Sequence, residues 1–358
     1  MTARPSPLEV AWFAALCDDD YEFLGVPDPS LASSVEHCGA IVGAVDRLGF
    51  DNVLLPSGYS LGIDATAFAA AVAPTTTSTR LLLAVRAAEL WPPQLARQLA
   101  TVDQVLAPGA DGRSRLTVNI ISSDLPGETL ESSPRYRRTA EVMSVLRTLL
   151  DGHPVDHHGE FYELELDPPR LGMRDGVCPP LYFGGLSEAA REVAAEHADV
   201  YLMWPEPLAA AADLVADMRH RAEAHGRALR FGFRCHVVVR DTEAEARAAA
   251  AALVSHVDAA TGDAIRQRSL DSGSAGVARQ AQLRDDADDE GYVDGHLWTG
   301  IGRARSGAGA ALVGDPQQVA DAIGRYAALG IDAFILSGYP HQREAERFAA
   351  DVLPLLRP

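Results

Sequence analysis

The sequence is poor in cysteine and has no long apolar run. Its four cysteines among 358 residues are Cys17, Cys38, Cys178 and Cys235, and they form neither a CxxC pair nor a Cys/His cluster with metal-ligand spacing. This scatter supports neither a disulfide framework nor a zinc site. No stretch approaches the ~20 apolar residues of a membrane-spanning helix. We therefore expect a reduced, cytoplasmic protein without signal peptide or membrane anchor.

Basic residues are also scarce, since 31 Lys and Arg stand against 50 Asp and Glu for a net charge of −19. Such a chain repels nucleic acid and anionic membranes, so neither is an expected partner. An anionic substrate would need a local group of arginines. The chain also lacks the GxxxxGK[ST] loop typical of nucleotide-triphosphate binding and the GxGxxG turn typical of dinucleotide binding. A site for the phosphate of a mononucleotide remains possible.

Short β-type apolar runs alternate with longer amphipathic stretches along the whole chain. The predicted strands are residues 10–16, 52–56, 80–86, 115–121, 180–185, 199–204, 231–240 and 331–338. Helix-like segments separate them, with Ser187 opening one helix and Gly330 closing another. Eight such units with strands that are apolar throughout predict an α/β fold, a (β/α)8 TIM barrel, as one domain over residues 1–358.

A long insertion follows the seventh predicted strand, from about residue 241 to 314. It begins with an alanine-rich helix over 242–260, continues through the acidic stretch 269–295 and ends in the glycine-rich GIGRARSGAGAALVG. The acidic stretch is typical of a solvated helix end or loop. However, an insertion in a βα loop of a barrel lies on the active-site face, so a lid is also expected.

The seventh strand, FGFRCHVVVR, carries Arg234 and His236 two positions apart. Alternation sends both side chains to one face and Cys235 to the other. A lone buried arginine is costly unless it finds a partner or a ligand. Two interpretations stay open: the pair faces a pocket, or the arginine pairs with a carboxylate of a neighbouring strand beside an ordinary core histidine.

Two further stretches near the predicted barrel mouth carry charge or backbone donors. GGLSE at 184–188 follows a strand and opens a helix, so its free N–H groups and the Ser187 hydroxyl could hold a phosphate, although the pattern is also an ordinary helix start. Asp18, Asp19 and Asp20 follow the first strand. Unless they face solvent, these aspartates would disfavour a sulfonate.

Several motifs between residues 45 and 341 resemble the bacterial luciferase-like flavin monooxygenases, and among them the two-component alkanesulfonate monooxygenases. They are VDRLGFDNVLLPSG, LLLAVR, PPLYFGG, YLMWPEP, HGRALRFGFRCHVVVRDTEAEA, GAGAALVGDPQQVADAI and YAALGIDAFILSGYPH. The resemblance implies a barrel enzyme that receives reduced FMN from an NAD(P)H:FMN reductase. With O₂ it would oxygenate an alkanesulfonate or a related organosulfur compound to an aldehyde and sulfite, as a homodimer or homotetramer.

The resemblance also implies roles for individual residues, none of them metal-binding. Its catalytic residues would be Arg234, His236, Tyr339, Trp204 and the lid arginine Arg305. FMN would contact Asn119, Tyr136, Gly185, Leu186 and Ser187. The organic substrate would contact Ser57, Tyr59, Trp204, Arg234 and Arg305.

Other functions remain open at the level of sequence. A monooxygenase of the same family could act on a sulfone, an alkane or a natural-product intermediate. The superfamily also holds enzymes that use deazaflavin as a hydride carrier. A non-catalytic flavin-binding barrel would have no need for Arg234 and Arg305 beside the flavin.

Overall fold

Eight parallel strands close into a barrel in the computed structural model, which describes residues 8–58, 62–125, 127–128, 130–258, 260, 262–264 and 273–357. The barrel strands are β1 (Glu9–Phe13), β2 (Asn52–Leu55), β3 (Arg80–Arg86), β4 (Leu116–Ile121), β7 (Leu181–Phe183), β8 (Val200–Met203), β9 (Arg230–Val239) and β13 (Ala333–Ser337). The pairing of β8 with β9 closes the sheet. The predicted (β/α)8 barrel is therefore confirmed, and every predicted strand overlaps an observed one.

Helices follow the strands and cover the outside of the barrel. They are α1 (Val35–Arg47), α2 (Ala65–Val72), α3 (Pro92–Val105), α4 (Ser132–Leu150), α5 (Glu188–His197), α6 (Leu208–Ala224), α7 (Glu243–Leu253), α8 (Ala275–Asp285), α9 (Pro316–Ala328), α10 (His341–Asp351) and α11 (Leu353–Leu356). Ser187 caps α5 by accepting from the Ala190 N–H, as predicted. Gly330 follows α9 with a φ of +95°, which explains the glycine there. Across the described ranges, no helix is long and apolar enough to cross a membrane.

The described part of the insertion contains more regular structure than its composition predicts. The acidic stretch, expected to be a loop or helix end, contains α8 and the strand β10 (Tyr292–Asp294). The strands β11 (Leu297–Trp298) and β12 (Ala311–Gly314) follow, and β12 pairs in parallel with the second half of β9. The insertion thus extends the barrel sheet beyond β9. An antiparallel hairpin of β5 (Val155–His158) and β6 (Glu163–Leu166) was also not predicted.

The helix α8 is fastened to the loop that follows β8. Arg279 pairs with the buried carboxylate of Glu206 at 2.7 Å. The side-chain amide of Gln280 donates to the Pro205 carbonyl at 2.8 Å, and its oxygen accepts from the Gly309 N–H at 3.0 Å. These bonds hold the insertion against the carboxyl end of the barrel.

A buried polar cluster fills the amino end of the barrel around Glu9. One carboxylate oxygen accepts from the Asn52 amide at 3.0 Å and from the Tyr182 hydroxyl at 2.7 Å. The other oxygen pairs with Arg80 at 3.1 Å and with Arg230 at 3.2 Å. Burial alone would raise the pKa of Glu9, but the arginines and the two hydrogen bonds lower it below the ordinary value of 4.5.

Glu9→Gln should therefore lower the free energy of unfolding by about 2 kcal/mol, because the partly exposed Arg80 and Arg230 lose a charged acceptor and the buried Asn52 and Tyr182 donors lose a strong one. Urea titration measures this loss, with Glu223→Gln on the exposed face of α6 as the matched control. The loss should be complete above pH 4.5 and shrink at lower pH, because the pKa of Glu9 is lower in the folded state than in the unfolded state. A loss that does not change down to pH 2 would contradict the role of the charge.

Candidate active site

Two arginines from distant parts of the chain pack against Phe13, the last residue of β1. The guanidinium carbon of Arg234 lies 4.4 Å from the ring centroid, and that of Arg305 lies 5.2 Å from it. Arg234 is 4% exposed, and its Nη1 donates to the neighbouring Cys235 carbonyl at 2.7 Å. Its Nη2 is buried and has no hydrogen-bond partner in the described part of the chain. No carboxylate of a neighbouring strand pairs with Arg234 in the described ranges, so its interpretation as half of a structural ion pair gains no support there.

Arg305 reaches the same place from the insertion, and two acceptors hold it there. Its Nη1 donates to the Asp19 carboxylate at 2.6 Å and to the Tyr339 hydroxyl at 3.1 Å. Its Nε is buried and lacks a partner among the described residues. Burial opposes the charge of Arg305, but Tyr339 and Asp19 outweigh it and raise the pKa of Arg305. This guanidinium is therefore a permanent cation.

His236 occupies the next inward position on β9. Its Nδ1 is 2.8 Å from the hydroxyl of Ser337, the residue directly opposite on β13. Its ring stacks on Tyr339 with centroids 5.3 Å apart and an angle of 21°. Its Nε2 is buried without a partner in the described ranges. The four predicted residues Arg234, His236, Arg305 and Tyr339 thus form one cluster, which we call the arginine cluster together with Phe13.

Burial and the two arginines set the protonation states of the arginine cluster. Burial and, next, Arg305 lower the pKa of Arg234 to about 9. Burial and then Arg234 lower the pKa of His236 well below 6.5, so the imidazole is neutral near pH 7. Burial raises the pKa of Tyr339 to about 12, although Arg305 opposes this, so the phenol keeps its proton. The cluster therefore combines two cations with a neutral base and a neutral acid.

The three aspartates after β1 differ in exposure and in their partners. Asp18 is exposed, whereas Asp20 is buried and pairs with His37 at 2.9 Å. Asp19 pairs with Arg305. Asp18 faces solvent, so it is not expected to disfavour a sulfonate. Both carboxylate oxygens of Asp20 are occupied, one by His37 and the other by two backbone N–H donors.

A second feature is a cleft between β4, β7, β8 and the start of α8. All five residues expected to contact FMN line it, and so does Trp204. Its lining includes Asn119, Tyr136, Gly184, Gly185, Leu186, Ser187, Trp204, Ser274, Ala275 and Gly276. The amino ends of α5 and α8 both border this cleft, with Ser187 and Ser274 as their N-caps. Two helix amino ends supply backbone donors and favour an anion there.

The turn at the start of α5 has no room for side chains. A Cβ at Gly184 would stand 1.9 Å from the Leu202 carbonyl oxygen. A Cβ at Gly185, where φ is +154°, would stand 2.6 Å from the Ala190 methyl and 3.4 Å from the Tyr136 hydroxyl. Open backbone beside a helix end and a tyrosine hydroxyl fits the phosphate of a mononucleotide. The Ser187 oxygen caps α5, and its hydrogen can still be donated.

Trp204 lies between the cleft and the insertion. It follows β8, whose Met203 pairs with Phe233, the residue before Arg234. A Cβ at Gly276 would be 2.8 Å from its ring and one at Gly307, two residues after Arg305, 3.5 Å from it. The indole therefore packs against the insertion and lines the cleft.

One predicted substrate residue, Ser57, stands apart. The Ser57 carbonyl accepts from Arg86 at 3.0 Å, and Ser57 lines a separate cavity between α2 and α3. Arg86, at the end of β3, also donates to the Ser123 hydroxyl. Tyr59 lies outside the described residues. The structure therefore does not bring the Ser57 side chain to the arginine cluster through any contact in the described ranges.

Sequence reasoning missed Phe13 and the partnership of Asp19. Phe13 is an apolar residue at the end of an apolar strand, so the sequence gives no signal for it beyond the rule that strand ends of a barrel face the active site. In the described ranges, no group of three or more His, Cys, Asp or Glu side chains could hold a metal ion.

A family model described as luciferase-like monooxygenase matches residues 24–333 of the chain. Two curated relatives are named sulfoquinovose monooxygenase. The protein from Novosphingobium aromaticivorans is 60% identical over 97% of this chain and 96% of its own length. The protein from Agrobacterium fabrum is 50% identical over 98% of this chain and 90% of its own length.

Solved structures with low sequence identity share the fold. A riboflavin lyase superposes with a TM-score of 0.79 at 18% identity, covering 98% of this chain and 92% of its own. A long-chain alkane monooxygenase superposes with a TM-score of 0.76 at 19% identity, covering 99% and 92%. The extent of the family match, the high identity to two curated relatives and the shared barrel lead to one conclusion: the chain belongs to the luciferase-like monooxygenase family.

Proposed function

We propose that this enzyme uses reduced FMN and O₂ to oxygenate sulfoquinovose at the carbon that bears the sulfonate. The C–S bond breaks, and the carbon becomes an aldehyde. In the balanced reaction, R–CH₂–SO₃⁻, FMNH₂ and O₂ give R–CHO, SO₃²⁻, FMN, H₂O and one proton. A separate NAD(P)H:FMN reductase would supply the flavin, and a homodimer or homotetramer belongs to the same proposal.

The observation that carries this proposal is the unbalanced positive charge of the arginine cluster. Arg234 and Arg305 share Phe13, whereas only Asp19 supplies a carboxylate to them in the described part of the chain. Arg234 Nη2 and Arg305 Nε are buried donors without a partner there. A buried donor without a partner is costly, and a sulfonate oxygen would satisfy it with a charge-assisted bond.

The names of the two curated relatives support the choice of sulfonate. Sulfoquinovose carries its sulfonate on a CH₂ group attached to a hydroxylated six-membered ring. An alkanesulfonate offers the same reacting group without the hydroxyls. The acidic chain, with a net charge of −19, binds such an anion only where arginines outnumber acids, as they do in the arginine cluster.

The cleft beside Trp204 fits FMN. Gly185 and the amino end of α5 would hold the phosphate, with the Tyr136 hydroxyl beside them, and Asn119 would contact the ring system. Bound reduced FMN supplies the electrons that activate O₂. The insertion covers Trp204 and carries Arg305, so it would also exclude water from the reacting carbon.

His236 and Tyr339 are placed to manage the protons. Formation of the aldehyde removes a proton from the sulfonate-bearing carbon. The neutral His236 can accept a proton on Nε2, which has no hydrogen-bond partner among the described residues. The Tyr339 oxygen accepts a hydrogen bond from Arg305, so its own proton is free to be donated to a developing negative charge.

Sulfite release tests the proposed function directly. The enzyme is incubated with reduced FMN, O₂ and one of four compounds: sulfoquinovose, a linear alkanesulfonate, a dialkyl sulfone or an alkane. We expect sulfite from sulfoquinovose and little or none from the others. Oxygenation of the sulfone or alkane without sulfite from any sulfonate would instead favour the alternative substrates, and no sulfite from any sulfonate would overturn the proposal.

Arg234→Gln should reduce kcat/KM for sulfite release by about 100-fold, because the substrate loses a charge-assisted bond in a buried site. Steady-state kinetics measures the change, and circular dichroism checks the fold. Arg325→Gln, at an exposed position of α9, is the matched control and should keep wild-type activity. Normal activity of Arg234→Gln would remove this residue from the mechanism.

Gly185→Ala should weaken FMN binding by about 10-fold, because its Cβ meets Ala190 and its φ disfavours a side chain. Quenching of FMN fluorescence during titration measures the affinity, and deazaflavin is titrated in parallel. Gly172→Ala is the control, since a Cβ there meets nothing within 4 Å. Unchanged affinity for FMN would place the phosphate elsewhere, and a preference for deazaflavin would contradict FMN as the cofactor.

A further inference from the structure

The three consecutive aspartates of the first loop have different tasks. Asp18 adopts a left-handed φ of +54°, and its carboxylate accepts from the Ser33 N–H at 3.1 Å. Asp20 uses one oxygen for the N–H groups of His341 and Tyr21, and the other for His37. Both flanking residues therefore fix the loop, and Asp19 between them is held in place.

Asp19 uses only one of its two carboxylate oxygens within the described part of the chain. Oδ2 accepts from Arg305 at 2.6 Å, whereas Oδ1 is buried and has no partner there. Its charge acts on Arg234 and Tyr339 as well as on Arg305, which places it at the arginine cluster. A buried carboxylate oxygen is costly without a donor, so Oδ1 is a place where a ligand donor would bind.

We propose that Asp19 Oδ1 accepts a hydrogen bond from a ring hydroxyl of the substrate, and that this bond makes the enzyme selective for a hydroxylated sulfonate. This inference rests on the proposed function and names a specificity residue for it. The sulfonate would bind the free donors of Arg234 and Arg305, and a hydroxyl of the same molecule would reach Asp19. Arg305 can contact both Asp19 and the sulfonate. Its Nη1 donates to Asp19, and its Nε has no partner in the described ranges.

The charge of Asp19 explains why the hydroxyl matters. A carboxylate beside a bound sulfonate is repulsive, so it weakens the binding of any simple alkanesulfonate. A hydroxyl donor reverses this, because a hydrogen bond to a charged acceptor is stronger than one to a neutral acceptor. Asp19 therefore strengthens the binding of hydroxylated sulfonates and weakens the binding of simple alkanesulfonates, which makes the site selective.

A matched pair of ligands tests this role. Sulfoquinovose is compared with (tetrahydropyran-2-yl)methanesulfonate, which has the same ring and sulfonate but no hydroxyl. Calorimetry measures the affinity of each for the FMN-loaded wild type, Asp19→Asn and Asp19→Ala. Asp18→Asn is the control, because Asp18 is exposed and asparagine tolerates its left-handed backbone.

We expect the wild type to prefer sulfoquinovose, and Asp19→Asn to lose about 10-fold or more in affinity for it. Affinity for the hydroxyl-free ligand should change by less than about 3-fold or rise, because a repulsive charge is removed. Asp19→Ala should show the larger loss of selectivity and Asp18→Asn none. Thermal unfolding checks that each variant is folded.

Equal losses for both ligands would overturn the inference, because Asp19 would then act only by holding Arg305. A wild type that binds the two ligands equally, or neither, would overturn it without any variant. The proposed function fails separately, when the wild type binds sulfoquinovose selectively but releases no sulfite from it. The two failures are therefore distinguishable.

Discussion

The contact of two guanidinium groups with the single ring of Phe13 is the constraint on which the site depends. Like charges this close in a buried place repel by an energy on the order of 2 kcal/mol at an effective dielectric constant of about 20. Asp19 and Tyr339 compensate Arg305, and the aromatic ring stabilises both cations. Arg234 has no such carboxylate in the described ranges, so its charge is left without a balancing anion there.

This arrangement exists only when the insertion is docked. Arg305 comes from the insertion, whereas Phe13, Asp19 and Arg234 come from the barrel strands and the first loop. The bonds of α8 to the loop after β8 and the pairing of β12 with β9 hold the insertion in place. The charge of the site is thus coupled to tertiary packing, because an undocked insertion would leave Asp19 without its partner and Arg234 without a neighbour that lowers its pKa.

The barrel and part of the site followed from local patterns. Strands buried on both faces, such as RLLLAVR, are apolar between their ends and so were predictable, and strand alternation placed Arg234 and His236 on one face. The helix α8 was missed because only Gln280 and Leu283 among its residues are buried, which leaves no apolar stripe. The pair of Asp19 and Arg305 joins residues 286 positions apart, so no local pattern reveals it.

The short range of screened electrostatic interactions explains how an acidic protein can bind an anion. Surface charges are screened beyond about 8 Å at physiological ionic strength, so the net charge of −19 has little influence inside the site. A buried carboxylate in contact with the ligand is not screened, and it must be balanced in every state of the enzyme. Arg305 balances Asp19 before the substrate arrives. A sulfonate that binds Arg305 competes with Asp19 for this cation, so the substrate must also give Asp19 a hydrogen-bond donor. A sulfonate with hydroxyls can do both.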